Sequence, residues 1–274
     1  MNEQEQALQE LKIYGFTILK SVVDADTADA MRETLIRCAE EHGTEHPHRG
    51  AARHVSNLPV LDRIFHQCLD HPRVLPKIWG LLGWNIYLYH SHLGVTHQEA
   101  PEGTPISYPL GFHQDSGRIN VELESDPRPM LSLKVGYWLS DVSELDRGNF
   151  YIVPGSHRDN KLRRPADDNP AEAIAVRANI GAAVFFDRRL WHAGGHNRSG
   201  KTRKVLFYGY GYRWIRPKDD MNVEHLHEHC NPIQRQLLGA AVNNNGRYVP
   251  TDEDVPLKMW LTEQLGENAV SMMD

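Results

Sequence analysis

His113 and Asp115 stand two residues apart in Gly111-Phe112-His113-Gln114-Asp115. Side chains alternate along a strand, so on an extended segment this pair points to one face and can grip one metal ion. With 16 His and 36 acidic residues in the chain, such a pair arises easily by chance. It gains meaning when a third ligand returns from far along the chain. His192 fills that place, in Trp191-His192-Ala193-Gly194-Gly195-His196-Asn197-Arg198-Ser199, and Arg203 follows eleven residues after it. Two imidazoles and one carboxylate leave three positions of an octahedral ion open, the arrangement of non-heme Fe(II) oxygenases. His196 competes with His192 for the third place, but only His192 keeps the eleven-residue step to Arg203.

These residues must be held by elements, and the pattern changes character along the chain. Residues 3–13 carry Leu8, Leu11 and Ile13 among Glu and Gln and predict a short helix ended by Gly15. Phe16 to Lys20 predicts a strand. Asp24 to Glu41 predicts a helix, with an Asp-rich start and Ala28, Met31, Leu35 and Cys38 at helical spacing. Residues 42–53, rich in His, Gly and Arg, predict a loop, and 58–82 predict one or two further helices. From Trp84 onward β-rich segments dominate: 86–93, the His113 segment, 131–136, 149–153, 183–186 and 204–210. Leu131, Leu133 and Val135 alternate with Ser132, Lys134 and Gly136, which predicts an amphipathic strand. Loops are expected at 98–109 and 159–172, and the tail from Glu224 is expected to be helical in parts. Helices followed by many short strands predict a mainly β fold with flanking helices, a sandwich or barrel, of which the jelly roll is one solution.

The chain has 274 residues, with no repeat and no linker separating two cores, and is expected to form a single domain. It is 40% hydrophobic and 24% charged, ordinary for a globular protein. A net charge of −6 argues against nucleic-acid binding. No apolar run of membrane-spanning length is present, and the polar, acidic start does not resemble a signal peptide. Cys38, Cys68 and Cys230 are scattered, with no Cys-x-x-Cys, so reduced thiols and a cytoplasmic location are expected.

The ordered set resembles the phytanoyl-CoA dioxygenase family of Fe(II)/2-oxoglutarate oxygenases. It consists of Gly-Phe-His113-Gln114-Asp115, Leu139-Ser140-Asp141-Val142, Gly148-Asn149-Phe150-Tyr151-Ile152-Val153-Pro154-Gly155-Ser156-His157, and His192 through Arg203. The likeness covers roughly residues 12–215. It implies a double-stranded β-helix, a cupin-like jelly roll of about 84–215, preceded by a helical part (1–83) and followed by a partly helical tail. It implies His113, Asp115 and His192 as ligands of Fe(II), and Arg203 as partner of the distal carboxylate of 2-oxoglutarate. Gln114, Tyr137 and Thr96 are implied as further co-substrate contacts, with Tyr208 as a helper. In two places the chain departs from some relatives: Gly194 stands where they have a hydroxyl residue, and Thr96 where they have a Lys.

The chemistry so implied consumes 2-oxoglutarate and O2, yields succinate and CO2, and hydroxylates a C–H bond of a small molecule. The carboxylate ligand favours hydroxylation over halogenation, in which that ligand's place goes to chloride. A metal-dependent isomerase or hydrolase on the same fold, and a non-catalytic binding protein that retains it, are the alternatives. The oligomeric state is not legible. Arg118 and Asn120, just past the ligand pair, could face the pocket, with solvent the default for both.

Overall fold

The computed structural model describes residues 1–46, 49–99, 109–115, 117–123, 125, 128–159, 161, 168–220 and 222–271. The expected loop at 98–109 therefore lies mostly outside the described residues, as does the middle of 159–172.

Helix α1 (Glu3–Tyr14) opens with a capping box in which Asn2 and Glu5 satisfy each other's backbone N–H. It ends at Gly15, in the left-handed region at φ 79°. Strand β1 (Phe16–Leu19) follows. Helix α2 (Ala25–His42) starts where Asp24 accepts from the Thr27 N–H at 2.9 Å, and it buries Ala28, Met31, Leu35, Cys38 and Ala39. The stretch expected as a loop instead forms β2 (Thr44–His46) and β3 (Arg49–Ser56), paired antiparallel with Thr44 opposite His54. The backbone supplies these bonds, so a polar stretch without alternation can still pair. Helices α3 (Leu58–Leu61) and α4 (Leu75–Leu82) come next, with a 3-10 turn at Arg63–Cys68 between them.

The later strands are β4 (Ile86–Thr96), β5 (Ser132–Trp138), β6 (Phe150–Ile152), β7 (Ile174–Val176), β8 (Ala183–Asp187), β9 (His192–Gly194) and β10 (Arg203–Tyr212). Helix α5 (Gly117–Glu122) lies between β4 and β5 in the chain, and α6 (Pro232–Leu237), α7 (Pro256–Leu265) and α8 (Glu267–Ser271) form the tail. One sheet has the order β1-β8-β5-β10-β4-β3-β2 and the other β7-β6-β9. Strand β5 is not amphipathic: all seven of its residues are buried, Ser132 and Lys134 included.

The chain divides into two compact units. The first comprises Met1–Val55, Leu93–Met130 and Lys134–Phe207. Its core joins both sheets: Trp138, Val184, Phe186, Val205 and Phe207 pack with Phe150, Ile152 and Val176. The second comprises Ser56–His92, Leu131–Leu133 and Tyr208–Asp274. There Gln236 donates to the Trp84 carbonyl at 2.9 Å and accepts from Leu257 N at 3.0 Å. The buried Arg213 donates to the carbonyls of Gly246 and Ala240, each at 2.9 Å. Among the described residues, no helix is long and apolar enough to cross a membrane.

Candidate metal centre

His113 does not lie on a strand. It makes a single antiparallel bridge with His192, the first residue of β9. The two residues exchange both backbone hydrogen bonds, each at 2.9 Å, and their rings lie 4.4 Å apart between centroids. Strand β6 holds the other side of β9, with Ile152 opposite His192. Asp115 follows in a turn, and its N–H donates to the Arg188 carbonyl at 2.9 Å. One ligand atom from each of His113, Asp115 and His192 falls within 4.8 Å of the others.

Each imidazole is oriented from behind. Nδ1 of His113 donates to the Gly111 carbonyl at 2.9 Å, and Nδ1 of His192 to the Leu190 carbonyl at 2.8 Å. A proton on Nδ1 leaves the Nε2 lone pair for a metal. Burial pushes the pKa of His192 down to about 4, so it is neutral at pH 7. Burial alone would raise that of Asp115, but the charges of Lys134 and His192 and the Lys134 hydrogen bond hold it well below the usual carboxylate range. Two imidazoles with Nε2 turned from the backbone and an ionised carboxylate form a donor set that fits a divalent transition metal.

Gln114 lies between the two early ligands but is not available to a co-substrate. Its Nε2 donates to the carbonyls of Asp159 and Arg189, and its Oε1 accepts from Arg128 at 3.0 Å and Asn120 at 3.4 Å. An amide has two donors and two acceptor sites, and all four are engaged. Asn120, expected at solvent, is buried; its Nδ2 donates to the Asp115 carbonyl at 3.1 Å, and its Oδ1 accepts from Arg188. Arg118 is exposed and pairs with Glu122. Gln114 and Asn120 thus fasten the ligand-bearing turn to the 187–192 segment.

Tyr137 also differs from expectation. Lys134 reaches Asp115 and Trp138 meets Arg203, so alternation puts Tyr137 on the opposite face of β5. Arg203, by contrast, is buried on the site-facing side of β10, its guanidinium 5.9 Å from the Trp138 ring centre and 6.0 Å from that of Phe207. Gly148, at φ 71°, passes so close that a Cβ there would meet Arg203 Cδ at 3.0 Å. An aromatic wall links this side to the histidines: Phe150 and Phe186 lie 5.2 and 5.1 Å from the His192 ring, and Phe207 packs on both. Val95 and His97 line a cavity under α2 together with Lys204, which places Thr96 on the other face, the side of Arg203. Tyr208 alternates away from Arg203 and donates to the Phe65 carbonyl at 2.7 Å within the second unit.

Lys134 is the residue that sequence reasoning missed. It stands on the polar stripe of a strand predicted to be amphipathic, yet its ammonium is buried 2.9 Å from Asp115. The available signal was that an interior holding a charged site can face the polar stripe of a strand.

The antiparallel sheets, flanking helices and convergent His-Asp-His triad define a jelly-roll oxygenase class. Solved structures with this fold include the epimerase SnoN in complex with Fe3+, alpha ketoglutarate and nogalamycin RO. It has a TM-score of 0.62 and 19% identity, and the alignment covers 78% of this chain and 86% of that one. HygX from Streptomyces hygroscopicus, with nickel, 2-oxoglutarate and hygromycin B bound, has a TM-score of 0.63 and 17% identity over 79% of this chain and 90% of that one. The dioxygenase af480 of Aspergillus fumigatus is 26% identical over 280 residues, covering 97% of this chain and 86% of its own length. The family described as phytanoyl-CoA dioxygenase matches residues 11–205, and the chain belongs to that family.

Proposed function

We propose that this chain is an Fe(II)- and 2-oxoglutarate-dependent dioxygenase that hydroxylates an unactivated C–H bond of a small molecule. The observation that carries the reading is the convergence of His113, Asp115 and His192, with both Nδ1 atoms committed to backbone carbonyls. Imidazole and carboxylate suit Fe(II), and three protein ligands leave room for a bidentate 2-oxo acid and O2. When bound, iron and 2-oxoglutarate supply the oxidising chemistry. The chain's own part is to hold, orient and enclose. Arg203 receives the distal carboxylate, Thr96 lies on the same face, and the wall of Trp138, Phe150, Phe186 and Phe207 excludes water.

A small-molecule substrate is supported by the ligands named for SnoN and HygX. The name of SnoN also supports a second outcome, epimerisation, which product analysis separates from oxygen insertion. A cytoplasmic setting accords with three buried cysteines that form no disulfide.

The test is succinate formation from 2-oxoglutarate with added Fe(II), in the wild type and in Arg203→Lys. The substitution keeps the charge but loses the planar fork. A lost hydrogen bond to a charged group is worth about 1.5–3 kcal/mol, which corresponds to a rise in the 2-oxoglutarate KM of roughly 10- to 150-fold. Metal affinity without 2-oxoglutarate should stay unchanged. If metal-loaded wild type makes no succinate, a metal-dependent isomerase or hydrolase moves ahead.

A further inference from the structure

Among the described residues, Lys134 is the charged side chain in direct contact with the triad that the reading above leaves without a task. Its side chain is 7% exposed, and an ammonium so buried demands a counter-charge. Its Nζ lies 2.9 Å from Oδ2 of Asp115. The same oxygen lies 3.9 Å from Nε2 of His192, so it faces the ligand atoms. The ammonium therefore sits on an oxygen that a metal ion bound at His192 would take.

The charges set the consequence. Without metal, the Lys134 ammonium stands against the Asp115 carboxylate, and Arg203 adds a second cation on the site side. A divalent ion alone adds two positive charges beside them, in a pocket where charge is poorly screened. A dianionic 2-oxo acid removes the same two. Without Lys134 the ion meets one positive charge fewer at each stage.

We propose that Lys134 makes metal loading conditional on the anionic co-substrate. It competes with the ion for Asp115 Oδ2, and its repulsion of the ion is offset when a dianionic 2-oxo acid binds with the metal. The proposal rests on the metal-centre reading. Because coupling is reciprocal, the metal raises affinity for 2-oxoglutarate by the same factor.

The test is Mn2+ binding to the full chain, followed by the electron paramagnetic resonance of free Mn2+, with and without saturating 2-oxoglutarate. The wild type should bind Mn2+ weakly alone and at least about tenfold more tightly with 2-oxoglutarate. Lys134→Met should bind Mn2+ alone about 10- to 100-fold more tightly than the wild type and lose part of the gain from 2-oxoglutarate. Lys134→Gln keeps a hydrogen-bond donor for Asp115 without the charge; it covers the case in which the Met variant does not fold, and should shift in the same direction. A folded variant that binds Mn2+ alone no more tightly than the wild type overturns the proposal while the metal centre stands. If the wild type binds no Mn2+ under either condition, or Asp115→Ala binds it equally well, the metal centre itself fails and the proposal with it.

Discussion

In the second unit, His90 Nδ1 lies 2.6 Å from Asp219 Oδ1, and both side chains are buried. The other carboxylate oxygen accepts from Ser91 N at 2.7 Å, Ser91 Oγ at 3.2 Å and Asn57 N at 3.2 Å. In the first unit, His192 is buried and Asp115 partly so, but their nearest approach is 3.9 Å and no direct hydrogen bond joins them. There the imidazoles turn Nδ1 to the backbone, and the carboxylate is met by the ammonium of Lys134. Residue types are the same in the two places. What differs is how the carboxylate is spent: Asp219 is satisfied by its protein partners, while around Asp115 the donor atoms face a shared point. A carboxylate closed in this way stabilises a fold, and the Asp115 arrangement can hold a cation.

Breaking each pair should therefore have different consequences. The largest effect is expected from Asp115→Ala, which removes the anionic ligand and should abolish Fe(II)-dependent succinate formation. Full activity in that variant, without any added carboxylate, would end the assignment. Next is the choice between the late histidines. His192→Ala should lose activity, whereas His196→Ala, whose imidazole pairs with Glu99 at 2.8 Å, should retain much of it. Single-turnover assays on the two variants decide, and the reverse ranking would make His196 the ligand.

Asp219→Asn should leave Mn2+ binding per folded molecule unchanged and lower stability by about 3–5 kcal/mol, the cost of breaking a buried pair. The pH dependence follows from the direction of the shift. Burial alone would raise the pKa of Asp219, but the bonds from His90 and Ser91 hold it below the usual value. Its contribution is thus complete above about pH 4, the ordinary aspartate pKa, and is lost as the pH falls through the lower folded value. Urea midpoints for wild type and variant should converge in acid; a gap that stays constant down to pH 2 would remove Asp219 as the source.

Gln114→Ala should have the smallest effect on the chemistry. It leaves donors on Arg128 and Asn120 without their acceptor, so a stability loss of about 1–3 kcal/mol is expected with little change in the 2-oxoglutarate KM. A selective rise in KM at unchanged stability would return Gln114 to the co-substrate.

The helices α1 and α2 were legible because capping and periodicity are local: Asn2, Gly15 and Asp24 each act within one turn. The pairing of β2 with β3 was not, because polar residues there are joined by backbone bonds that leave no alternation to read. The environment of β5 was misread for a related reason. Alternation shows that Lys134 and Tyr137 face opposite ways, but not which face holds the site, and here both faces are buried.

Residue identity and spacing alone settle the donor types, their order along the chain and the family they belong to. Only the tertiary structure decided that His113 meets His192 through one backbone bridge and that Gln114 is consumed by the protein. It also placed the ammonium of Lys134 against Asp115. Such contacts join residues far apart in the chain, and hydrogen-bond capacity and charge are settled by whatever neighbour the fold brings, which no local pattern records.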